Sequence, residues 1–318
     1  MTDMFEKRRI GVVVPAHNEE KLIGKVLETM PPYVDKIIVV DDASADETKT
    51  VVRRQMSLDP RIILMEHRQN HGVGATIVSG YKRALQENLE VVAVMAGDGQ
   101  MAPEDLPRVL APVATGEADY TKGNRLFRGE SWEIIPHYRY LGNSMLSLLT
   151  KIASGYWHIA DSQSGYTAIS RTALERIRLD SIYPGYGMPN DILIKLNIHN
   201  FKVRDVSIRP VYNQGERSGI RLSKVIPRIS WLLCKGFFRR LFEKYVIRDF
   251  HPLIFFYLLG LLLLPPGLIL GFYLVSHRLL EGPVSATSAL FAAFLTISGL
   301  QAILFAMWFD MDYNRDLR

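Results

Sequence analysis

The sequence predicts an α/β domain built on a mostly parallel sheet, followed by an amphipathic interfacial helix and a two-helix transmembrane hairpin. Three observations carry this. Short apolar runs alternate with helical patterns from residue 10 to about residue 120, the mark of βαβ units with helices on both faces of a sheet. Acidic residues stand at the ends of those runs, where sheets of this kind hold ligands. Two long stretches near the C-terminus carry no charged residue.

The elements follow in order. A strand over Ile10–Pro15 leads into a helix from about Glu19 to Met30. A strand over Lys36–Asp41 precedes a helix from about Ala45 to Met56. A strand over Arg61–Met65 precedes the turn NHGVGA (Asn70–Ala75) and a helix through Leu85. That turn lacks the third small residue of a dinucleotide fingerprint and follows the third strand, so it reads as a tight helix start. The strand Val91–Met95 ends at GDGQ. Asn18, Glu19, Asp41, Asp42, Asp98 and Gln100 thus fall at strand ends. Glu133–Gly155, with Arg139 near its start, reads as a further helix.

Pro252–Val275 and Val284–Phe309 are uncharged over the roughly twenty positions a bilayer core requires. The linker Ser276–Pro283 is short, so the two form a hairpin. Pro265 and Pro266 should kink its first helix. In Arg221–Phe250, Trp231, Leu232, Phe238, Leu241 and Phe242 alternate with Lys224, Arg228, Lys235, Arg239, Arg240 and Lys244. A helix lying in the headgroup plane has this character; a helix packed on the soluble domain is the alternative. Basic flanks favour the cytoplasmic side, which puts the catalytic domain and both termini there. The tail DMDYNRDLR becomes a cytoplasmic end of mixed charge. The expected division is a catalytic domain over 1–220, juxtamembrane helices over 221–250 and the hairpin with its tail over 251–318.

The 318 residues suffice for one large domain and an appendage. A net charge of +5 and a pI near 9.2 suit an anionic leaflet or an anionic substrate. No zinc spacing or helix-turn-helix pattern speaks for nucleic acid. The single cysteine, Cys234, cannot form an intramolecular disulfide, which fits a reducing compartment. The N-terminal MTDMFEKRR is charged and does not read as a secretory signal.

PAHNEE, VVDDASADET, NHGVGAT and GDGQMAPEDL, in this order, resemble family 2 glycosyltransferases of the GT-A fold. The resemblance runs on through KGNRL (Lys122–Leu126), DSQSGYTAISR (Asp161–Arg171) and RSGIRLSK (Arg217–Lys224). With the hairpin, the chain looks like the polyprenyl-phosphate glycosyltransferases of the dolichol-phosphate mannose synthase type. The likeness covers roughly residues 8 to 245 by motif. It implies that Pro15, Ala16, Asn18, Glu19 and Gly97 hold the nucleotide sugar and that Asp42 meets its base. It implies that Asp98, helped by Gln100, ligates Mg2+ or Mn2+, and that Arg125, Arg139, Arg217 and Lys224 meet phosphates. One departure stands out: where the family often has Asp-x-Asp, the first position here is Ala96. A site with Asp98 alone is still workable, because Mg2+ and Mn2+ keep waters and lean on substrate phosphates. Asp161 and Asp191 are candidates for orienting sugar or acceptor, or for structural hydrogen bonding. His17, His71 and His158 show no metal-ligand pattern.

The expected reaction is inverting transfer from a GDP- or UDP-linked sugar to a dolichyl- or undecaprenyl-type phosphate. A lipid phosphate is already anionic, so no strong general base is needed, and the sequence offers no clear one. A hairpin of two helices suggests self-association in the membrane. Two alternatives stay open: another lipid-linked or polysaccharide acceptor, or a non-catalytic nucleotide-sugar binder. The Gln-x-x-Arg-Trp motif of processive synthases is absent.

Overall fold

The computed structural model describes Phe5 and residues 8–126, 137–209 and 222–318, with backbone alone at 137–141, 143 and 222–225. Two compact units are present: Met1–Phe237 with Leu317–Arg318, and Phe238–Asp316.

In the first unit, seven strands among the described residues form one sheet in the order β3-β2-β1-β4-β6-β5-β7. They are β1 (Ile10–Ala16), β2 (Lys36–Asp41), β3 (Ile62–Glu66), β4 (Val91–Val94), β5 (Tyr120–Asn124), β6 (Thr167–Ser170) and β7 (Val203–Ser207). β1, β2, β3 and β4 run parallel, in register Val13↔Ile38 and Val13↔Val94. β6 is antiparallel to both β4 and β5, while β5 and β7 are parallel. The apolar runs are continuous because both sheet faces are covered. Ile10, Val12 and Val14 enter one core, while Val13 enters the other with Ile38, Val40, Val92 and Val94. β2 lies on one side of β1 and β4 on the other, so a crevice opens at the carboxyl ends of β1 and β4.

The helices of this unit are α1 (Ile23–Glu28), α2 (Thr48–Leu58), α3 (Val73–Gln86), α4 (Leu106–Ala114), α5 (His137–Ser154), α6 (Arg171–Arg176) and α7 (Met188–Ile198). The first is far shorter than its pattern predicts. Asn18 takes a left-handed φ of 59°, and the Glu19 N–H is bound by Thr48 Oγ1 at 2.8 Å. Residues 19–22 therefore form a turn toward the crevice. α8 (Leu222–Phe242) begins in this unit. Its Ile229 and Leu233 pack with Ala153, Ile194 and Ile198, while Trp231 is 70% exposed. One face thus covers the domain and another is left open.

The second unit holds a π-helical turn (Glu243–Arg248), α9 (Leu253–Leu280) and α10 (Ala286–Tyr313). Both long helices are apolar enough to cross a membrane. They are longer than the uncharged stretches, and α9 continues through Pro265 and Pro266. Small residues set their approach: a Cβ on Gly299 would lie 2.5 Å from Leu264 N, and Ala292, Ala302 and Ala306 are buried.

This unit also corrects a reading of the basic flank. Arg240 faces inward, with its guanidinium 2.7 and 3.0 Å from the two carboxylate oxygens of Asp310. Lys244 Nζ donates to Asn314 Oδ1 at 2.7 Å, and Asn314 Nδ2 donates to Tyr245 OH at 2.8 Å. Asp310 belongs to the last turns of α10 rather than to a solvated tail. A carboxylate buried there requires a paired cation, and Arg240 supplies it.

Candidate active site

The crevice is built from the β1 and β4 ends. The Asn18 N–H donates to Ser44 Oγ at 2.9 Å, and Asn18 Oδ1 accepts from the Ala45 N–H at 2.8 Å. The Asp42 N–H donates to Ala16 O at 2.9 Å. These bonds lace the loops after β1 and β2 together. From the other side, the Gly97 N–H donates to Pro15 O at 3.1 Å. A Cβ on Gly97 would stand 2.8 Å from Ile23 Cδ1 and 3.4 Å from Pro15 O, so the GDGQ turn packs directly on α1 and the end of β1.

The result is a gathering of carboxylates. Burial, then the charges of Asp98 and Asp46, push the Glu19 carboxyl up to about 7. Asp98 Oδ1 accepts from the Gln100 N–H at 3.0 Å, so Asp98 also closes its own turn, with Gly99 at a φ of 71°. Asp98, Glu19, Pro15, Ala16, Asn18 and Gly97 are thus brought to one place, with Gln100 beside them.

Asp42 is tied to the NHG turn. Its Oδ1 accepts from the His71 N–H at 2.9 Å and lies 2.8 Å from His67 Nδ1; its Oδ2 accepts from the Gly72 N–H at 2.8 Å. Burial raises the Asp42 pKa, but these hydrogen bonds outweigh it and hold the carboxyl below the ordinary range. The ionised carboxylate only accepts, so His67 Nδ1 carries a proton toward it, while Nε2 lies 2.9 Å from Ser79 Oγ. Asp42 anchors the NHG turn. Its neighbour Asp41 is fully buried, and its Oδ1 has no hydrogen-bond partner among the described residues.

A second group forms at the end of β5. Arg125 Nε and Nη2 lie 2.8 and 3.2 Å from the carboxylate oxygens of Asp161, a side chain with no exposed area. Asp161 Oδ1 also accepts from the Gln163 and Ser164 N–H groups, at 3.1 and 3.2 Å. Burial opposes its charge, but Arg125 and Lys122 prevail and hold the Asp161 pKa low. Lys122 is buried and donates to Ser164 O at 2.6 Å. Burial lowers it to about 8, against the pull of Asp161 and Asp205. Asp205 accepts from the Ala160 N–H at 2.7 Å and Asn124 Nδ2 at 2.9 Å; burial lifts it to about 6. Sequence reasoning gave Lys122 no role of its own, though it opens the KGNRL motif, and missed Asp205 altogether.

Asp191 stands apart in α7, accepting from the Tyr183 N–H at 2.8 Å and from Lys195 Nζ at 2.5 Å. His17 Nδ1 lies 2.8 Å from Asp42 O, and His158 Nε2 donates to Val203 O at 2.7 Å. Arg217 and the side chains of Arg139 and Lys224 lie outside the described residues.

No group of three or more His, Cys, Asp or Glu side chains that could hold a metal occurs among the described residues. The Glu19–Asp98 pair nevertheless fits a hard divalent cation. Its donors are oxygens, its crowded negative charge is relieved by a cation, and Mg2+ commonly takes only one or two carboxylates beside phosphates and water.

Residues 11–178 match the family described as Glycosyl transferase family 2. The UDP-N-acetylglucosamine–dolichyl-phosphate N-acetylglucosaminyltransferase of Methanococcus voltae is 28% identical over 218 residues, 64% of this chain and 86% of that protein. The polyprenol monophosphomannose synthase of Mycolicibacterium smegmatis is 30% identical over 207 residues, 63% of this chain and 77% of that one. Among solved structures, glucosyl-3-phosphoglycerate synthase from Mycobacterium tuberculosis, in complex with Mn2+ and UDP, shares the fold. Its TM-score is 0.55 at 20% identity, covering 76% of this chain and 84% of that one.

Proposed function

The chain belongs to glycosyl transferase family 2, and from that premise we propose that it transfers a sugar, with inversion, from a nucleoside diphosphate sugar to a polyprenyl phosphate. The transfer takes place at the cytoplasmic face of a membrane and yields a polyprenyl-phosphate monosaccharide. The observation that carries this reading is the Glu19–Asp98 carboxylate pair at the β1/β4 crevice. The names of the relatives and the two apolar helices support the lipid acceptor.

Asp98, with Glu19 and Gln100 near it, would hold a divalent ion, which would supply charge neutralisation for the departing diphosphate. The β1 loop at Pro15–Glu19 and the GDGQ turn hold the donor so that its anomeric carbon faces the acceptor. An acceptor phosphate oxygen attacks that carbon as its bond to the diphosphate breaks. A phosphate monoester dianion has no proton to lose, so no base is required. Asp161 fixes the Arg125 fork toward phosphate, a geometry suited to guanidinium. Arg139, Arg217 and Lys224 complete the acceptor side. The domain boundaries at 220 and 250 belong to the same reading.

Isothermal titration and steady-state kinetics test it. Asp98→Ala should lose metal-dependent binding of UDP- or GDP-sugars. Arg217→Ala should keep donor binding while raising the KM for the lipid phosphate. Unchanged lipid kinetics in Arg217→Ala would remove it from the acceptor site.

A further inference from the structure

β7 is the last strand of the sheet, so one of its edges has no strand beside it among the described residues. Toward β5, Lys202 O accepts from the Asp119 and Tyr120 N–H groups at 2.9 and 3.1 Å. Val203, next along, uses both of its main-chain groups elsewhere. Its N–H donates to Leu317 O at 3.0 Å, and its carbonyl accepts from His158 Nε2 at 2.7 Å. An open strand edge is commonly blunted by charge, a bulge or a covering segment. Here the covering residue is Leu317, which follows the end of α10 at Tyr313 and belongs with Arg318 to the first unit. The Leu317 side chain packs against the core that contains Tyr156, Ile159 and Val203.

The same edge leads to the candidate site. Residues 156–161 are stitched at alternate positions to residues 201–205. Tyr156 OH donates to Phe201 O at 2.6 Å, His158 Nε2 donates to Val203 O, and the Ala160 N–H donates to Asp205 Oδ2 at 2.7 Å. The next residue, Asp161, holds Arg125. Burial, with the charges of Arg318 and Lys151, lowers the His158 pKa against the pull of Val203 O. The imidazole is therefore neutral at pH 7, and its one N–H is spent on β7.

We propose that Leu317 is a positioning residue for the Arg125 fork. Leu317 holds the edge of β7 at Val203, β7 holds residues 156–161, and that segment ends in the carboxylate that orients Arg125. Two observations favour positioning over simple protection of an edge. Val203 carries both the Leu317 bond and the His158 bond, so displacing one disturbs the other. Asp161 is fully buried and accepts from the Gln163 and Ser164 N–H groups, so its place is set by the backbone rather than by rotation of its side chain. The inference rests on the acceptor role of Arg125 proposed above and extends it to a residue remote in sequence from every motif.

The test compares the full chain in nanodiscs with Leu317→Asp, Leu317→Met and a form lacking Leu317 and Arg318. Amide hydrogen exchange is read at single residues. Leu317→Asp and the shortened form should exchange at least about fivefold faster at both Val203 and Ala160, with Val13 in the middle of the sheet unchanged. Leu317→Met keeps an apolar anchor and should match the wild type. Faster exchange at Val203 with Ala160 unchanged would overturn the inference, because Leu317 would then only cover an edge.

Kinetics supply the second arm. The KM for a polyprenyl phosphate should rise several-fold in Leu317→Asp and return in Leu317→Met, while the titrated affinity for UDP- or GDP-sugar with Mg2+ stays constant. A merely structural residue would lower the active fraction, and so kcat, at constant KM; that result would also overturn the inference. Should Leu317→Asp fail to fold, Leu317→Ala carries the same comparison. If the wild-type protein transfers to no polyprenyl phosphate, the proposed function fails, and exchange at Ala160 decides the positioning question alone.

Discussion

Glu19 carries the electrostatic signature of the crevice. Its carboxyl is raised to about 7 by burial and by Asp98 and Asp46. The folded state therefore binds a proton that the unfolded state has lost, between the ordinary carboxylate range and pH 7. The stability from this group is full below the unfolded value of 4.5 and is lost as pH rises through about 7. Melting curves across that range should fall with pH, fall less in Glu19→Gln, and flatten when Mg2+ or Mn2+ is added. An identical slope in Glu19→Gln would show that the carboxylates do not crowd one another. Asp161→Asn should be worse tolerated. It leaves the Arg125 fork without its partner and Lys122 short of a counter-charge, a loss of about 3 kcal/mol, with transfer falling in parallel. Chemical denaturation reads the first effect and kcat the second. Glu19, Asp98 and Gly97 were legible in the sequence because strand ends are legible. Lys122 and Asp205 were not, since a charged residue within a strand reads as surface until its neighbours across the sheet are known. Asp42 was legible at its strand end but its hydrogen bonds to the NHG turn were not, because the backbone donors of His71 and Gly72 reach it only through tertiary folding.

Among the elements, α8 and α10 teach the same lesson. Apolar spacing identifies a stripe on a helix but does not say which side of the helix faces the protein. In α8 one face packs on Ala153, Ile194 and Ile198 while another is left open, so packing on the soluble domain, the second of the two sequence alternatives, holds for one face. Arg240 and Lys244 were counted with the solvated cations, yet the extension of α10 to Tyr313 brings Asp310 and Asn314 to them. Removing one partner of this buried pair leaves the other uncompensated. Arg240→Met should destabilise the second unit by about 3–5 kcal/mol, and Arg240→Met/Asp310→Leu should recover most of it. Thermal unfolding in detergent or nanodiscs checks the cycle; an additive double variant would mean that the two side chains do not act as a pair.

At the scale of the whole molecule, a glycosyltransferase sheet and a pair of membrane-length helices share one chain. The alternation up to about residue 120 made the parallel part of the sheet readable. The antiparallel β6, four residues between a loop and a short helix, offers too little periodicity to be read, and its pairing is a non-local event. The hairpin was plain from its lack of charge. The chemistry proposed for these parts meets in a single experiment: radiolabel transfer by the purified full chain to a polyprenyl phosphate, across a panel of UDP- and GDP-sugars, with Mg2+ or Mn2+ and with EDTA. A chloroform-soluble labelled product should form from at least one donor and be abolished by EDTA and by Asp98→Ala. Absence of product with every donor from a folded protein, or a product that forms equally well in EDTA, would contradict it.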